Sequence, residues 1–381
     1  MLLLMKINAA HYKTGKVVEF TFRDGRLVSS RPSRSRTGLL YGPGLFDIQV
    51  NGFAGVDFNH ADFTPESFRV AVHAMWRYGT THVMPTIITA PPEKMAFYLG
   101  VIRDAMGRFP ELRRCMAGVH QEGPYFANLD GVRGAHPPEN IVLPTVPHFN
   151  SMQKAAGGMI RMLTLAPEVK GALPFIRTLS KRGVMIAIGH THSTPVEIRA
   201  GVDAGARIST HLGNGSEQIM PRHHNYMLAQ LADDRLYASF IPDGHHLPPF
   251  VLQTFFRAKP AEKRILTTDC MAAAGAPVGR YTIGRLVVEV GRDRQVRQPG
   301  KPNFAGSAIT MDEGITNAVR LGGVSLQEAW DMSSVYAWNL MRRASLVREP
   351  SLGDTFIIAR HAGGRFGVQA TVIGRKLVYS R

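Results

Sequence analysis

The sequence predicts an α/β protein, a (β/α)8 TIM-like barrel with a small β-sandwich domain built from both chain ends. Three observations indicate this fold. Eight short apolar runs recur, most of them followed by a segment with helical apolar spacing; polar residues end these runs; and both chain ends alternate apolar and polar residues. The expected boundaries are 1–43 and 346–381 for the sandwich and 44–345 for the barrel.

The two chain ends have the pattern of β-hairpins. "KVVEFTFRDGRLV" alternates around a turn at Asp24-Gly25, and "DTFIIARHAGGRFGVQATVIGRKLVYS" alternates around Gly-rich turns. One small sandwich made from both ends is the simplest arrangement for them. A further hairpin and loop is expected at 280–308, after the eighth apolar run.

The eight apolar runs are the expected barrel strands. They are "GLFDIQVNG" from Gly44, "THVMPTII" from Thr81, "MAGVHQEG" from Met116, "RMLTLAP" from Arg161, "VMIAIGH" from Val184, "RISTHLG" from Arg207, "YASFIPDG" from Tyr237 and "RILTTDC" from Arg264. Segments such as "TPESFRVAVHAMWRYG", "PPEKMAFYLGVIRDAMGRF" and "ALPFIRTLSKRG" predict helices between them.

Polar side chains lie at or near the C-terminal ends of these runs. They are Asp47, Gln49, Asn51, Glu122, His190, His211, Asp243 and Asp269. In a parallel barrel these ends converge on one mouth, where active sites are built. One or two such residues could cap turns, but eight of them predict a functional site at the mouth.

Glu122, His190 and His211 are the candidate metal ligands. A carboxylate that ends an apolar strand needs a positive partner, and two imidazoles with one carboxylate suit Zn²⁺ with a fourth position open for water. Either histidine alone could be a packed core residue, but the two lie one β/α unit apart. We expect one divalent ion, with Zn²⁺ favoured and Fe²⁺ or Mn²⁺ as alternatives.

Three further residues are candidates for catalysis and substrate binding. Asp269 ends the last strand, where a carboxylate can accept a proton from water and pass it to a leaving group. His136 and His246 follow the third and seventh strands, so His136 could polarise a carbonyl group and His246 could hold the substrate. A capping role for Asp269 is the structural alternative.

Composition narrows the compartment and the partners. The net charge is +16, yet the basic residues are scattered, so we expect no nucleic-acid partner and instead the steering of an anionic small molecule. Two cysteines indicate no disulfide framework and favour the cytoplasm. No apolar run approaches the roughly 18 residues of a membrane span.

Eight motifs in order resemble the N-acetylglucosamine-6-phosphate deacetylases of the amidohydrolase superfamily, from about residue 42 to 320. They are "PGLFDIQVNGFAGVDF", "HQEGPYF", "GAHPPE", "IGHTHST", "STHLGNG", "PDGHHL", "TTDCMAAAG" and "FAGSAITMDEGI". The resemblance implies a metal-dependent barrel hydrolase that removes the acetyl group of an amino sugar. The small molecule implied is N-acetylglucosamine 6-phosphate, which would yield glucosamine 6-phosphate and acetate.

The resemblance also implies roles for residues. Glu122, His190 and His211 match metal ligands, Asp269 matches the catalytic aspartate, and His136 matches a histidine that assists at the carbonyl. The positions that match contacts to the amino sugar and its phosphate are Asn214, Gly215, Arg222 and His246. Related enzymes are commonly homodimers in which the phosphate-binding arginine crosses the interface, so Arg222 predicts a homodimer.

The sequence departs from the superfamily and family patterns at two places. Gln49-Val50-Asn51 stands where the superfamily often has H-x-H for a second metal, which predicts a single ion. Glu217 brings a carboxylate close in sequence to the substrate motif, where it could repel a phosphate. An unphosphorylated amino sugar or another N-acyl compound is therefore the alternative substrate. A binding protein with a structural zinc would instead be expected to use four protein ligands.

Overall fold

The computed structural model describes residues 4–300, 304–343 and 351–381. Its strands are β1 (Leu4–His11), β2 (Val17–Arg23), β3 (Arg26–Pro32), β4 (Leu39–Pro43), β5 (Leu45–Val50), β6 (Gly52–Phe53), β7 (Val56–Asp57), β8 (Thr80–Ile88), β9 (Val119–Glu122), β10 (Ile160–Leu165), β11 (Met185–Ile188), β12 (Ala206–Ser209), β13 (Tyr237–Phe240), β14 (Arg264–Leu266), β15 (Gly279–Ile283), β16 (Leu286–Val290), β17 (Val296–Arg297), β18 (Phe356–Ala362), β19 (Arg365–Ile373) and β20 (Lys376–Ser380).

The α-helices connect these strands. They are α1 (Pro65–Trp76), α2 (Pro92–Arg108), α3 (Val146–Ala155), α4 (Ala172–Lys181), α5 (Pro195–Ala204), α6 (Tyr226–Ala232), α7 (Pro249–Ala258), α8 (Met311–Arg320), α9 (Leu326–Met332) and α10 (Val335–Arg343). The three quoted helical segments are confirmed as α1, α2 and α4. Among the described helices, none has both the length and the apolar character needed to cross a membrane.

The eight apolar runs form the parallel strands of a nearly closed barrel, as the sequence predicts. The strand order is β14-β13-β12-β11-β10-β9-β8-β5. A parallel bridge between Val50 and Cys270 joins its two edge strands at the mouth. Beside it, the buried Asp47 carboxylate accepts hydrogen bonds from the Thr267 and Thr268 hydroxyls at 2.7 and 2.5 Å. Asp47 therefore serves the closure of the barrel.

The opposite end of the barrel is filled by apolar side chains. Trp338 of α10 packs against Phe46 of β5 and His82 of β8, with ring centroids 4.6 and 4.7 Å apart. This packing leaves the C-terminal mouth as the open end, where TIM-barrel active sites lie.

Both chain ends form one small closed sheet, as predicted for the sandwich domain. Its strand order is β1-β2-β3-β20-β19-β18-β4, and its core includes Phe20, Phe22 and Phe356. The turn at Asp24-Gly25 has φ values of 49° and 72°, the left-handed pair that a tight hairpin turn requires. The division into domains at 43/44 and 345/346 stays a prediction; residues 1 and 346 lie outside the described residues.

The segment after the eighth strand forms a small antiparallel sheet of β15, β16 and β17. This agrees with the hairpin expected at 280–308, of which residues 301–303 lie outside the described part. The sheet covers the mouth on one side and contributes Ile283 to the cavity described below.

Candidate active site

Three predicted site residues follow barrel strands in a strained backbone conformation. His190, His211 and Asp269 have φ values of 50°, 32° and 48°, which non-glycine residues rarely adopt. Such strain persists only where the surrounding structure fixes it, and it concentrates at functional sites. The strain therefore marks these strand ends as candidate functional positions.

Glu122 at the end of β9 is the centre of the site. Its Oε1 atom lies 3.0 Å from His211 Nε2 and 3.3 Å from His190 Nε2. Neighbouring ligands on a tetrahedral Zn²⁺ with bonds near 2.05 Å are separated by about 3.3 Å. All three side chains are buried, so the three predicted ligands have the spacing of a divalent-ion site.

Burial opposes ionisation of Glu122, but its contacts with His190 and His211 hold the pKa of its carboxyl group well below the ordinary value. Gln49 Nε2 of β5 donates a further hydrogen bond of 2.9 Å to Oε1. The carboxylate is thus charged and held in place, as a metal ligand must be.

The orientation of His190 also suits a metal ligand. Its Nδ1 lies 2.8 Å from the Val132 carbonyl oxygen, so Nδ1–H donates there and Nε2 presents a lone pair toward Glu122. A lone pair that faces a carboxylate oxygen at 3.3 Å calls for a cation or a proton between them. At Gly215 (φ 59°) a Cβ would lie 2.7 Å from His190 Nδ1, so only glycine fits beside this ring.

His136 lies in the same cavity, beside Glu122 and His190. Donor atoms of Glu122, His136 and His190 fall within 4.8 Å of one another, and the His136 ring packs edge-on against His190. Burial lowers the pKa of His136 to about 3, and Nδ1 has no hydrogen-bond partner among the described residues. His136 is therefore a neutral imidazole available to a ligand.

Asp269 is the second buried carboxylate of the site. Asn51 Nδ2 donates a hydrogen bond of 2.7 Å to its Oδ1 atom. Burial, followed by the negative charge of Glu122, raises the pKa of Asp269 to about 7. A carboxyl group with this pKa is suited to accept and return a proton near neutral pH.

A cavity of about 340 Å³ contains these groups. Three of the predicted substrate-binding residues, Asn214, Gly215 and His246, line it. His246 Nδ1 lies 2.6 Å from the Asp243 carboxylate, and its ring packs 5.1 Å from that of Phe304. These contacts fix the His246 ring at the cavity wall.

Arg222 and Glu217 were expected near the substrate, but neither residue lines the cavity. Arg222 is exposed and is not among the residues that line the cavity. The Glu217 carboxylate contacts His192 Nδ1 and accepts a hydrogen bond from the Tyr226 hydroxyl, and it does not line the cavity either. Within one chain, therefore, neither charge faces the site.

Sequence reasoning missed two supporting contacts. Gln49 and Asn51 were expected at the mouth and as poor ligands for a second metal, with no partner predicted for them, whereas their amide groups bind Glu122 and Asp269 directly. Their spacing of two residues at the end of β5, which in extended backbone points both side chains the same way, was the available signal. His120 of the H-x-E motif is a satisfied core residue, with its ring nitrogens near the Ile48 carbonyl and the Thr164 hydroxyl.

Comparison with known proteins gives no matching family model. Among curated proteins, the chain is 33% identical over 303 residues to the N-acetylgalactosamine-6-phosphate deacetylase of Escherichia coli O157:H7, covering 77% of this chain and 76% of that relative. It is 30% identical over 375 residues to the human N-acetylglucosamine-6-phosphate deacetylase, covering 94% and 87% of the two chains.

Solved structures show the same likeness. A Mycobacterium smegmatis N-acetyl-D-glucosamine-6-phosphate deacetylase mutant in complex with N-acetyl-D-glucosamine-6-phosphate superposes with a TM-score of 0.84 at 26% identity, covering 99% of this chain and 100% of that one. An enamidase of the amidohydrolase superfamily has a TM-score of 0.52 at 12% identity, covering 95% and 90% of the chains, and shares the fold.

Proposed function

The chain belongs to the N-acetylglucosamine-6-phosphate deacetylase family of the amidohydrolase superfamily, and we propose that it hydrolyses N-acetylglucosamine 6-phosphate to glucosamine 6-phosphate and acetate. One observation carries this proposal. Glu122 Oε1 lies within 3.3 Å of both His190 and His211, in the cavity that also holds Asp269 and His136.

Glu122, His190 and His211 are the proposed ligands of one divalent ion. A carboxylate with two imidazoles suits Zn²⁺, with Fe²⁺ and Mn²⁺ as alternatives. Such an ion polarises an amide carbonyl and lowers the pKa of a water molecule. Gln49 in β5 and Asn51 directly after it each already donate a hydrogen bond to a carboxylate, which supports a single ion.

The chain's own groups supply the proton transfers. Asp269 accepts the proton of the attacking water and returns it to the departing amine nitrogen, so that one C–O bond forms and the C–N bond breaks. His136, neutral because its pKa is lowered to about 3, donates a hydrogen bond to the carbonyl oxygen as negative charge develops there. Asn214, Gly215 and His246 hold the sugar.

The phosphate contact involves a second copy of the chain in this proposal. Arg222 is exposed in the loop between β12 and α6 and does not line its own cavity, and Ile219 of the same loop is 91% exposed. An interface between two copies would bury this isoleucine and could bring Arg222 to the partner's site. The proposed state is therefore a homodimer.

The proposed compartment is the cytoplasm. The buried free thiols of Cys115 and Cys270 suit its reducing conditions.

Metal analysis combined with acetate release tests the proposed activity. The panel is N-acetylglucosamine 6-phosphate, N-acetylgalactosamine 6-phosphate and N-acetylglucosamine. We expect about one divalent ion per chain and the highest kcat/KM for the first sugar. A higher kcat/KM for N-acetylgalactosamine 6-phosphate would assign that sugar as the substrate and keep the deacetylase activity. If none of the three sugars released acetate, the proposed deacetylase activity would be refuted.

The phosphate is tested through Arg222. Arg222→Ala should lower kcat/KM for the phosphorylated sugar by roughly 10- to 100-fold, because a charge-assisted hydrogen bond contributes about 1.5–3 kcal/mol. Capture of the unphosphorylated sugar should hardly change. Equal losses with both sugars would leave the deacetylase standing and refute the phosphate contact.

A further inference from the structure

The active-site cavity has an apolar wall beside the proposed metal ligands. Ile88, Ala135 and Ile283 line it there. Ile88 is paired in register with Glu122 across β8 and β9, and Ala135 directly precedes His136. Ile88 and Ile283 are 8% and 4% exposed and belong to one hydrophobic cluster, against which Ala135 packs.

The same three residues also line a second cavity of about 330 Å³. Its other lining residues include Pro91, Tyr98 and Leu286, with Lys94 and Arg285 also present. Because Ile88, Ala135 and Ile283 face both cavities, their side chains form the partition between the two spaces.

The apolar wall lies across the mouth from the proposed sugar contacts. Ile88 ends β8 and Ala135 follows β9, whereas Asn214 and His246 follow β12 and β13. In the barrel order, β10 and β11 separate these pairs on one side, and β14 and β5 separate them on the other. The proposed sugar contacts and the apolar wall therefore lie on opposite sides of the barrel mouth, with Glu122 at the end of β9 on the side of the wall.

The shape of the substrate then places its acyl group. An amide carbonyl carbon is planar, and its nitrogen and acyl substituents point away from each other. With the sugar on the side of Asn214 and His246, the methyl group of the acetyl moiety points toward the apolar wall. Burial of a methyl group against such side chains is favourable.

We infer that Ile88, Ala135 and Ile283 form the acyl-group pocket and that the side chain of Ile283 sets the longest acyl chain the enzyme accepts. This inference rests on the proposed function. If the partition at Ile283 were removed, the two cavities would join, and the second cavity would then hold the distal part of a longer apolar N-acyl chain.

Ile283 is the partition residue that can be changed with least effect on the barrel. It ends β15, outside the barrel sheet, and the turn after it is held by the backbone, since Gly284 N–H donates a hydrogen bond of 2.8 Å to Asp57. Ile88, in contrast, is paired with Glu122 itself. Truncation of Ile283 should join the two cavities and leave the ligands in place.

The experiment compares Ile283→Ala with wild type and with Leu286→Ala, which enlarges only the second cavity. The substrates are glucosamine 6-phosphate carrying N-acetyl, N-propionyl, N-butyryl or N-hexanoyl groups, and release of the free amine gives one assay for all. We expect Ile283→Ala to raise the hexanoyl-to-acetyl ratio of kcat/KM by about tenfold or more, since one methylene in an apolar pocket changes selectivity by about 10- to 200-fold. Leu286→Ala should leave the ratio near that of wild type.

Two results would overturn the inference. One is an unchanged ratio in a folded Ile283→Ala that still releases glucosamine 6-phosphate from the acetyl substrate; the other is an equal shift in Leu286→Ala. If Ile283→Ala fails to fold, Ile283→Val carries the comparison, with a smaller rise expected. A wild type that releases no amine from any of these substrates refutes the proposed function, and this inference with it.

Discussion

Glu122 at the end of β9 and Asp269 three residues after β14 are both buried carboxylates, and the two differ in ionisation. Burial raises the pKa of both groups. At Glu122 the contacts with His190 and His211 overcome burial and lower the pKa, whereas at Asp269 the charge of Glu122 adds to burial and raises the pKa to about 7. The neighbours, more than the depth of burial, decide which carboxylate is suited to hold a cation and which to carry a proton.

The two carboxylates share one support. Gln49 of β5 and Asn51, the residue directly after β5, donate one amide hydrogen bond each, to Glu122 and Asp269 respectively. One short segment at the end of β5 therefore holds both groups, whereas His190 and His211 lie within 3.3 Å of Glu122. Replacing the residues around Glu122 should therefore affect metal binding, and replacing those around Asp269 should affect proton transfer.

The largest effect is expected at the β9 end. His211→Ala removes a proposed ligand, so the protein should lose its divalent ion and its turnover should fall to background. Elemental analysis after dialysis measures the first effect, and acetate release measures the second. His148→Ala is the matched control, because this half-buried histidine contacts Tyr125 away from the cavity. Full metal content and activity in His211→Ala would show that the assigned ligand set is wrong.

The β14 end should respond differently. Asp269→Asn keeps the shape of the side chain but cannot accept a proton, so turnover should fall by roughly 10²-fold or more. The ion should remain bound, because Glu122 and both imidazoles are unchanged. Acetate release and elemental analysis on the same preparation measure both quantities. Near-normal turnover would remove Asp269 from the mechanism, and loss of metal would make it a ligand.

The side-chain amides of Gln49 and Asn51 give a smaller and more selective test. Gln49→Leu should weaken metal affinity by about 10- to 100-fold, the usual effect of losing a group that orients a ligand. Asn51→Leu should lower kcat by about tenfold with metal affinity unchanged, since a hydrogen bond to a charged group contributes about 1.5 kcal/mol. Metal titration and kcat at saturating metal separate the two variants. Identical losses in both would mean that β5 supports the site as one unit.

Strand ends were predictable from the sequence because the apolar runs and the polar residues that close them are local features. Glu122, His190, His211 and Asp269 were all expected at the mouth for that reason. The bonds of Gln49 to Glu122 and of Asn51 to Asp269 were not, because they join residues 73 and 218 positions apart. Distances across a barrel depend on its closure, which no local pattern specifies.

The path of the loop that carries Glu217 could not be predicted from the sequence either. Glu217 follows Asn214 closely in the chain and so was expected near the substrate. The loop contains Gly213 and Gly215 with φ values of 97° and 59°, and glycine leaves such a path open to many conformations. In the structure the Glu217 carboxylate instead contacts His192 and Tyr226.

Glu217 is a third carboxylate that can be compared with Glu122 and Asp269, and its replacement should change kcat/KM the least. Burial opposes its ionisation, but hydrogen bonds from Tyr226 and His192 lower its pKa, so it is charged without facing the cavity. Glu217→Gln should therefore change the ratio of kcat/KM for phosphorylated and unphosphorylated sugar by less than about threefold, as expected for an interaction below 1 kcal/mol. The same ratio measured in Arg222→Ala, where a large selective loss is expected, shows that the assay can detect a phosphate contact. A tenfold rise in preference for the phosphorylated sugar in Glu217→Gln would instead mean that this carboxylate repels the phosphate, and that charge near the cavity, as well as charge inside it, selects the substrate.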